Sequence, residues 1–380
     1  MSFFGSNATS NTFSRPSSFF SGTTNANTTT TAVPTANPMN GVDVPEAPED
    51  TVQSLKFNPV AANTPIYLAS GSWDNTVRVW QVSDSGAVEP KAMQNVGAPV
   101  MSIDWFDDSS KIFMACADKQ ARVWDLASNQ VAVVGTHDQP IRSCHWITSP
   151  AYSCLMTTSW DKTIRFWDMR QLPTQSSLAT INVGEKVYCA DVLYPMAVVG
   201  LSNRRVKVFN LEGQPKEVTE VETPLKHQMR CLAIFKNKNT NQPTGFAQGS
   251  IEGRVAIQYI EPASSKDNFT FKCHRSTELV NGFQEIYPVN DLCFHPTHNT
   301  LVTAGADGRF SYWDKDARTK LKSSELHQMP LTATAIHGSG NVFAYAIGYD
   351  WSRGHASYVA GQGTKIYLLP CGEDLKPRKK

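Results

Sequence analysis

The segment ASGSWDNTVRVWQV at residues 69–82 indicates the fold, because its pattern recurs along the chain. Within it, Asp74 precedes a run of alternating apolar residues that ends in Trp80. Period-2 alternation of this kind predicts a half-buried β-strand. Related segments run from Asp118 to Trp124, Asp161 to Trp167, Asn203 to Phe209 and Asp307 to Trp313, with weaker copies in EGRVAI (252–257) and GTKIY (363–367).

Neighbouring copies begin about 42–55 residues apart, near the roughly 40–45-residue period of WD-type propeller repeats. Seven such units fit into residues 49–370, and further short strands precede each copy. Four short antiparallel strands cannot form a stable core alone, so the units must pack side by side in a closed ring. The sequence therefore predicts an all-β protein, a seven-bladed WD-repeat β-propeller over residues 41–370.

The two ends of the chain differ in composition from the repeats. Residues 1–40 are rich in Ser, Thr and Asn and poor in charge, which predicts a disordered tail. The ending CGEDLKPRKK is too polar to supply a strand, so we assign residues 371–380 to a basic C-terminal tail. Blade 7 then lacks a fourth strand. The alternating residues 42–44 can close it, and the alternative is that they still belong to the tail.

Composition narrows the class of protein. Lys and Arg total 35 against 34 Asp and Glu, which excludes a globally basic nucleic-acid binder but allows a local basic patch. The eight cysteines contain no C-x-x-C pair, which is typical of a reducing compartment. No apolar run approaches the length of a membrane span, and the N-terminus lacks a basic signal region. We expect a soluble intracellular protein without membrane contact.

Most polar residues of the repeats have an architectural interpretation. Asp74, Asp118, Asp161 and Asp307 each open a tight turn, where a carboxylate accepts backbone N–H bonds. The repeated tryptophans Trp80, Trp124 and Trp167 complete this structural set. His137, His227 and His327 recur at repeat spacing, which also favours architecture.

The sequence gives little support for a catalytic site or a metal-binding site. Cys293, His295 and His298 have no fourth ligand at useful spacing. Adjacent Cys273 and His274 on a strand would point to opposite faces, which prevents proton transfer between them. We expect no enzyme activity, no metal and no cofactor.

A basic run follows the blade 6 copy of the pattern. Lys315, Arg318, Lys320 and Lys322 come shortly after Trp313. Cationic side chains beside an aromatic ring can contact phosphates and stack on unpaired bases, and a solvated polar loop is the alternative. Trp351 and Arg353, in a glycine-rich turn, fit partner contact and core capping equally well.

Several stretches resemble one particular family. FTFKCHRS (269–276), residues 294–325, NVFAYAIGYDWSRGH (341–355) and DLKPRKK (374–380) are similar to nuclear-pore-associated mRNA export factors of the Rae/Gle type. The resemblance extends over residues 41–380. It implies a propeller that binds the Gle-binding hairpin of a Phe-Gly-repeat nucleoporin and weakly contacts single-stranded RNA. The residues implied in these contacts are Arg254, Trp313, Lys315, Arg318 and Lys320.

The resemblance also implies a monomer within a heterodimer, located in the nucleus at the nuclear pore complex and shuttling to the cytoplasm. Alternatives on the same fold are a mitotic spindle-checkpoint propeller of the Bub type and a substrate receptor of a ubiquitin ligase. The terminal segments DWSRGH and DLKPRKK favour the export factors.

Overall fold

The computed structural model describes residues 37–377, apart from residues 63, 84–85, 171–175 and 360. In this part of the chain, seven four-stranded antiparallel sheets and one separate two-stranded hairpin account for the strands. The sheets are the blades of a propeller. The predicted tail residues 1–36 lie outside the described residues.

The strands follow the seven repeats. The first half contains β1 (Val42–Asp43); blade 1, β2 (Val52–Phe57), β3 (Ile66–Ser72), β4 (Thr76–Val82), β5 (Val88–Asn95); blade 2, β6 (Val100–Trp105), β7 (Lys111–Cys116), β8 (Gln120–Asp125), β9 (Gln130–Thr136); blade 3, β10 (Ile141–Thr148), β11 (Ser153–Ser159), β12 (Thr163–Trp167), β13 (Ala179–Asn182); and blade 4, β14 (Val187–Leu193), β15 (Met196–Leu201), β16 (Arg205–Asn210), β17 (Lys216–Glu222).

The second half adds an insertion to the repeat. It contains blade 5, β18 (Met229–Lys236), β19 (Pro243–Ser250), β20 (Arg254–Tyr259), β21 (Phe269–Lys272); the hairpin β22 (Arg275–Val280) and β23 (Phe283–Ile286); blade 6, β24 (Val289–Phe294), β25 (Leu301–Gly305), β26 (Phe310–Asp314), β27 (Thr319–Ser323); and blade 7, β28 (Leu331–Ile336), β29 (Val342–Ile347), β30 (Lys365–Pro370). Three short 3₁₀ helices cover Pro262–Asp267, His355–Ser357 and Glu373–Leu375.

The first strands of the blades surround a central axis. Each packs against the first strand of the next blade, and β2 packs against β28, which closes the ring. Apolar clusters lie between adjacent blades all the way round. Successive antiparallel strands connect at alternating ends of a blade. The second-to-third turns and the links between blades therefore share one face, which we call the upper face, and the other turns form the lower face.

A bulge interrupts every first strand near the upper face. In each, the register skips the second residue of the strand, which leaves one residue unpaired near the upper end of the axial channel. The seven residues are Gln53, Met101, Arg142, Tyr188, Arg230, Asn290 and Thr332.

The N-terminal strand β1 supplies the fourth strand of blade 7. Val42 lies opposite Leu368 and Asp43 opposite Tyr367, and the Val44 N–H donates to the Ile366 carbonyl at 2.9 Å. The last blade is therefore built from both ends of the chain. This pairing joins strands more than 300 positions apart and fixes the ring closed.

Short segments beyond both predicted propeller ends are packed. Asn37, which we assigned to the tail, exchanges two side-chain bonds with the backbone of Gly41 at 2.7 and 2.9 Å. Residues 371–377 differ from the predicted basic tail: Leu375 is buried, and its carbonyl accepts a bond from the Thr300 hydroxyl at 2.6 Å. Leu375 belongs to the apolar cluster between blades 6 and 7, so it helps to dock this polar segment there.

Candidate partner-binding surfaces

Blades 3 and 6 contain the same polar network inside the blade. In blade 3, the His137 ring contacts Asp161 and Thr157, both at 2.8 Å, and the Trp167 indole N–H donates to Thr157 at 2.8 Å. The network links the blade entrance to its third strand. It explains why Asp and Trp recur at a fixed distance in the sequence.

In blade 6, the corresponding residues are His274, Thr303, Asp307 and Trp313. His274 contacts Asp307 at 2.9 Å and Thr303 at 2.8 Å, and the Trp313 indole N–H donates to Thr303 at 3.0 Å. The sequence analysis missed this role of His274, because the hairpin β22–β23 separates it from the rest of its repeat. Spatially, His274 takes the place in blade 6 that His137 takes in blade 3.

The other repeat residues make different contacts. The carboxylates of Asp74, Asp118, Asp161 and Asp307 each accept the backbone N–H two residues further on, at 2.9–3.3 Å. Trp80 donates to the Pro45 carbonyl at 2.7 Å and Trp124 to Asn129 at 3.0 Å.

Two of the repeat-spaced histidines belong to no such network. His327 contacts the Gly308 carbonyl and the Tyr345 hydroxyl. His227 is exposed and lies 3.9 Å from Glu252.

An aromatic and basic surface lies on the rim between blades 5 and 6. We call it the rim site and define it by Phe269, Phe271, Trp313, Arg318 and Lys320. The Phe271 and Trp313 rings are 4.5 Å apart, and the Arg318 guanidinium lies 4.8 Å from the Phe269 ring. Lys320 is exposed, 5.8 Å from Trp313. Three of the residues implied by the family resemblance are thus brought together, with two phenylalanines that the sequence analysis had not selected.

Lys315 does not lie on this surface, which corrects the sequence expectation. Its side chain is 4% exposed, and its ammonium group lies 4.3 Å from the Phe235 ring and 2.5 Å from Asp316. Burial lowers the pKa of Lys315. The cation is therefore used inside the protein, because Lys315 lies in the turn after β26 with its ammonium group directed toward Phe235 and Tyr259 of blade 5.

Arg254 also lies away from the rim site. It begins β20 opposite Lys272, whereas Phe269 lies opposite Ile257 at the other end of that pairing. Three residues of strand separate them by roughly 10 Å. Arg254 is half-exposed and 3.4 Å from Glu252, so it belongs to the upper end of blade 5.

The upper face carries a second surface, which the sequence analysis largely missed. In the blade 7 loop, Trp351 and Tyr358 are exposed and stack with their ring centroids 5.4 Å apart and an interplanar angle of 9°. Trp351 is therefore exposed, which fits partner contact and not core capping. Further exposed apolar side chains on this face are Trp73, Trp160, Ile251, Leu279, Val280, Phe283, Ile286 and Val359.

Two arginines stand at the channel mouth on the same face. Arg142 and Arg230 occupy bulge positions and line a cavity of about 630 Å³ along the axis. Neither pairs with a carboxylate in the described part of the chain; Arg142 has one 3.4 Å bond to the Met101 carbonyl. Burial lowers the pKa of Arg142, and nearby Arg230 adds to this effect. The buried Thr332 hydroxyl at the same mouth has no partner either.

The candidate metal cluster is occupied by internal bonds. His295 lies 3.0 Å from the Gly340 carbonyl through one ring nitrogen, and its other nitrogen accepts the Thr297 and His298 backbone N–H groups. Within the described residues, no group of three or more His, Cys, Asp or Glu side chains could hold a metal ion. The helices there are all too short or too polar to cross a membrane.

Comparison with known proteins identifies the family. A family model described as "WD domain, G-beta repeat" matches residues 42–81, 93–125, 128–168 and 266–314. The mRNA export factor rae-1 of Caenorhabditis elegans is 61% identical over 352 residues, which cover 92% of this chain and 94% of that protein. Protein Rae1 of Drosophila melanogaster is 51% identical over 347 residues, covering 91% and 99%. The mRNA export factor of Xenopus tropicalis is 50% identical over 354 residues, covering 92% and 94%. The seven-bladed propeller described above therefore belongs to the Rae1 family of mRNA export factors.

Proposed function

We propose that the chain is a non-enzymatic adaptor in mRNA export. It acts in the nucleus and at the nuclear pore complex and shuttles to the cytoplasm. Its upper face binds the Gle-binding hairpin of a Phe-Gly-repeat nucleoporin, and its rim site contacts single-stranded RNA. Family membership supports the export role. The checkpoint and ubiquitin-ligase alternatives have no comparable support, since the related proteins quoted above are export factors.

The observation that carries the nucleoporin part is the combination of exposed apolar side chains with unpaired arginines on the upper face. Large apolar patches on a soluble protein mark interaction sites. Half-buried guanidinium groups that line a cavity without a carboxylate partner favour an acidic partner residue, because an anion offsets their partial desolvation. A segment with apolar side chains flanking one or more acidic residues fits both features.

Binding of a synthetic Gle-binding hairpin peptide tests this assignment. We expect a stoichiometric complex, and Arg230→Gln should weaken it about tenfold or more through the lost charged bond. Arg170→Gln is the control, because Arg170 is an exposed arginine on the lower face. Calorimetry gives the affinities and thermal melting checks folding. The proposal fails if the unaltered protein does not bind the peptide at tens of micromolar.

The rim site supports the RNA part. Trp313 and Phe271 offer aromatic planes for unpaired bases, and Arg318 and Lys320 are available for phosphates. Arg318 contacts the exposed Asp267 at 3.4 Å through the carbonyl and at 3.8 Å through the carboxylate, and an exposed ion pair of this length competes only weakly with a phosphate for its charge. Because the patch is small, we expect modest affinity, a steep salt dependence and little base preference.

Charge reversal tests the RNA part separately. We expect the double variant Arg318→Glu and Lys320→Glu to lose binding to an oligouridine strand while its melting temperature is retained. The matched control reverses Lys216 and Lys226, two exposed lysines of blade 4 and its link to blade 5. Equal RNA binding by the rim variant would contradict the assignment.

A further inference from the structure

The hairpin β22–β23 is a small sheet without a third strand. Its two strands pair with each other and with no other strand of the described chain. The turn residues Asn281 and Gly282 have φ values of 52° and 82°, as in a type I′ turn. Phe283 is 77% exposed and Leu279 67% exposed. An isolated hairpin with this much exposed apolar surface is marginally stable in water, so a covering strand would stabilise it.

The two edges of the hairpin are not equivalent. The register of β22 jumps from Arg275 opposite Ile286 to Leu279 opposite Gln284, which leaves the intervening residues out of the ladder. The Ser276 hydroxyl replaces the missing backbone bonds by accepting from the Glu285 N–H at 2.9 Å and donating to the Glu278 carbonyl at 2.7 Å. The edge of β22 is therefore irregular, whereas β23 is a continuous strand.

Antiparallel pairing determines which groups of β23 are free. Val280 and Phe283 flank the two-residue turn, so their backbone groups bond to each other. The next pair, Leu279 with Gln284, is then of the type that is not hydrogen-bonded. The N–H and carbonyl of Gln284 consequently point away from β22, toward the open edge.

We propose that the nucleoporin segment bound on the upper face adds to β23 as a third strand of this sheet. This inference rests on the proposed function and specifies how that partner is held. The partner strand would be extended, with alternating apolar side chains on the face of the sheet that Phe283 shares with Val280. The hairpin adjoins the docking surface, since the Arg275 guanidinium donates to the Glu252 carbonyl at 2.9 Å in the upper turn of blade 5.

A tethered partner strand fits this edge better than a second copy of the chain. A four-residue edge offers few hydrogen bonds, and a stable interface between two proteins needs about 800 Å² from each. A peptide already anchored beside the hairpin pairs with it as an intramolecular step, at high effective concentration. A few backbone hydrogen bonds are then sufficient to hold the added strand.

The test compares two substitutions at Gln284, with the Gle-binding hairpin peptide as probe. Gln284→Pro removes the outward N–H, and proline is tolerated where an edge-strand N–H faces solvent. Gln284→Ala keeps the N–H and loses the same side-chain bond to the Ser276 carbonyl. We expect Gln284→Pro to bind the peptide about fivefold or more weakly and Gln284→Ala within about twofold of the unaltered protein.

The outcomes separate this inference from the proposed function. Hydrogen exchange should also show that the Gln284 amide is protected when the peptide binds. Equal affinity of both variants, with no such protection, would overturn strand addition and leave the nucleoporin function intact. Failure of the unaltered protein to bind would overturn both. Dimerisation without peptide, abolished by Gln284→Pro, would identify a second copy as the occupant and contradict the proposal.

Discussion

Blades 3 and 6 use the same internal network but present different surfaces. Trp167 and Trp313 both donate to a threonine that also contacts a histidine. Trp167 is nevertheless 3% exposed, whereas Trp313 is half-buried at the rim site. The network fixes the position of each indole N–H. The preceding blade then determines whether the outer face of the ring is covered.

One position of the preceding blade produces this difference. Gly135, opposite Ala121 in blade 2, and Phe271, opposite Val255 in blade 5, occupy corresponding places in the outermost strand. A Cβ atom on Gly135 would overlap the Trp167 ring. Gly135 leaves space in which the Trp167 ring is buried. Phe271 instead packs beside Trp313, and the two rings form an aromatic surface. The tryptophan of the repeat is therefore a buried structural residue in blade 3 and part of a candidate binding surface in blade 6.

The largest expected effect comes from removing the buried tryptophan. Trp167→Ala should lower the free energy of unfolding by about 3–5 kcal/mol, because it leaves a cavity and removes a buried hydrogen bond. Trp313→Ala should cost less stability and weaken RNA binding more. Denaturant unfolding and RNA titration of both variants check this. Equal stability losses would show that the two tryptophans are not distinguished by burial.

The next effect comes from exchanging the neighbouring residue. Gly135→Ala should destabilise by about 1–3 kcal/mol, since the new methyl group must displace the Trp167 ring. Phe271→Ala, its counterpart at the rim, should change stability less but reduce RNA affinity. Thermal melting with RNA titration measures both. A stable Gly135→Ala variant would contradict the close-packing explanation.

Acid should affect blade 3 through His145, a buried histidine of its first strand whose place in blade 6 is taken by a cysteine. Burial, with contributions from Lys56 and Arg142, lowers the pKa of His145 to about 3, and Cys293 corresponds to it in blade 6. Below the unfolded pKa of about 6.5, only the unfolded chain takes up this proton, so stability present above pH 6.5 is lost as the pH falls toward 3.

The expected loss attributable to His145 is about 2 kcal/mol at pH 5. His145→Gln should remove that part of the difference between pH 7 and pH 5, as measured by denaturant unfolding. Other buried histidines, His137 among them, retain their own contribution. An unchanged difference in the variant would show that His145 does not carry this part of the acid sensitivity.

The sequence predicted the ring and its repeats well, because period-2 patterns and repeat spacing are local signals. The pairing of β1 with β30 could be predicted from the sequence only because the seventh repeat lacked a fourth strand. The candidate binding surfaces were harder to predict from the sequence. His274 was hidden by an insertion, and the position of Arg230 at the channel mouth depends on a bulge that no local pattern reveals. Lys315 resembled its basic neighbours in the sequence, although its burial depends on the direction in which the turn between β26 and β27 points its side chain.

Lys315 also gives the smallest expected effect and the sharpest test of the rim site. Lys315→Met keeps an unbranched side chain beside Phe235 while removing the cation, and Asp316 retains a 2.6 Å ion pair with Lys238. Stability should change by less than about 1 kcal/mol. RNA affinity should stay within about twofold, because the buried ammonium group cannot reach a phosphate. A loss as large as that of the Arg318 and Lys320 double variant would show that blade 6 opens to expose Lys315 when RNA binds.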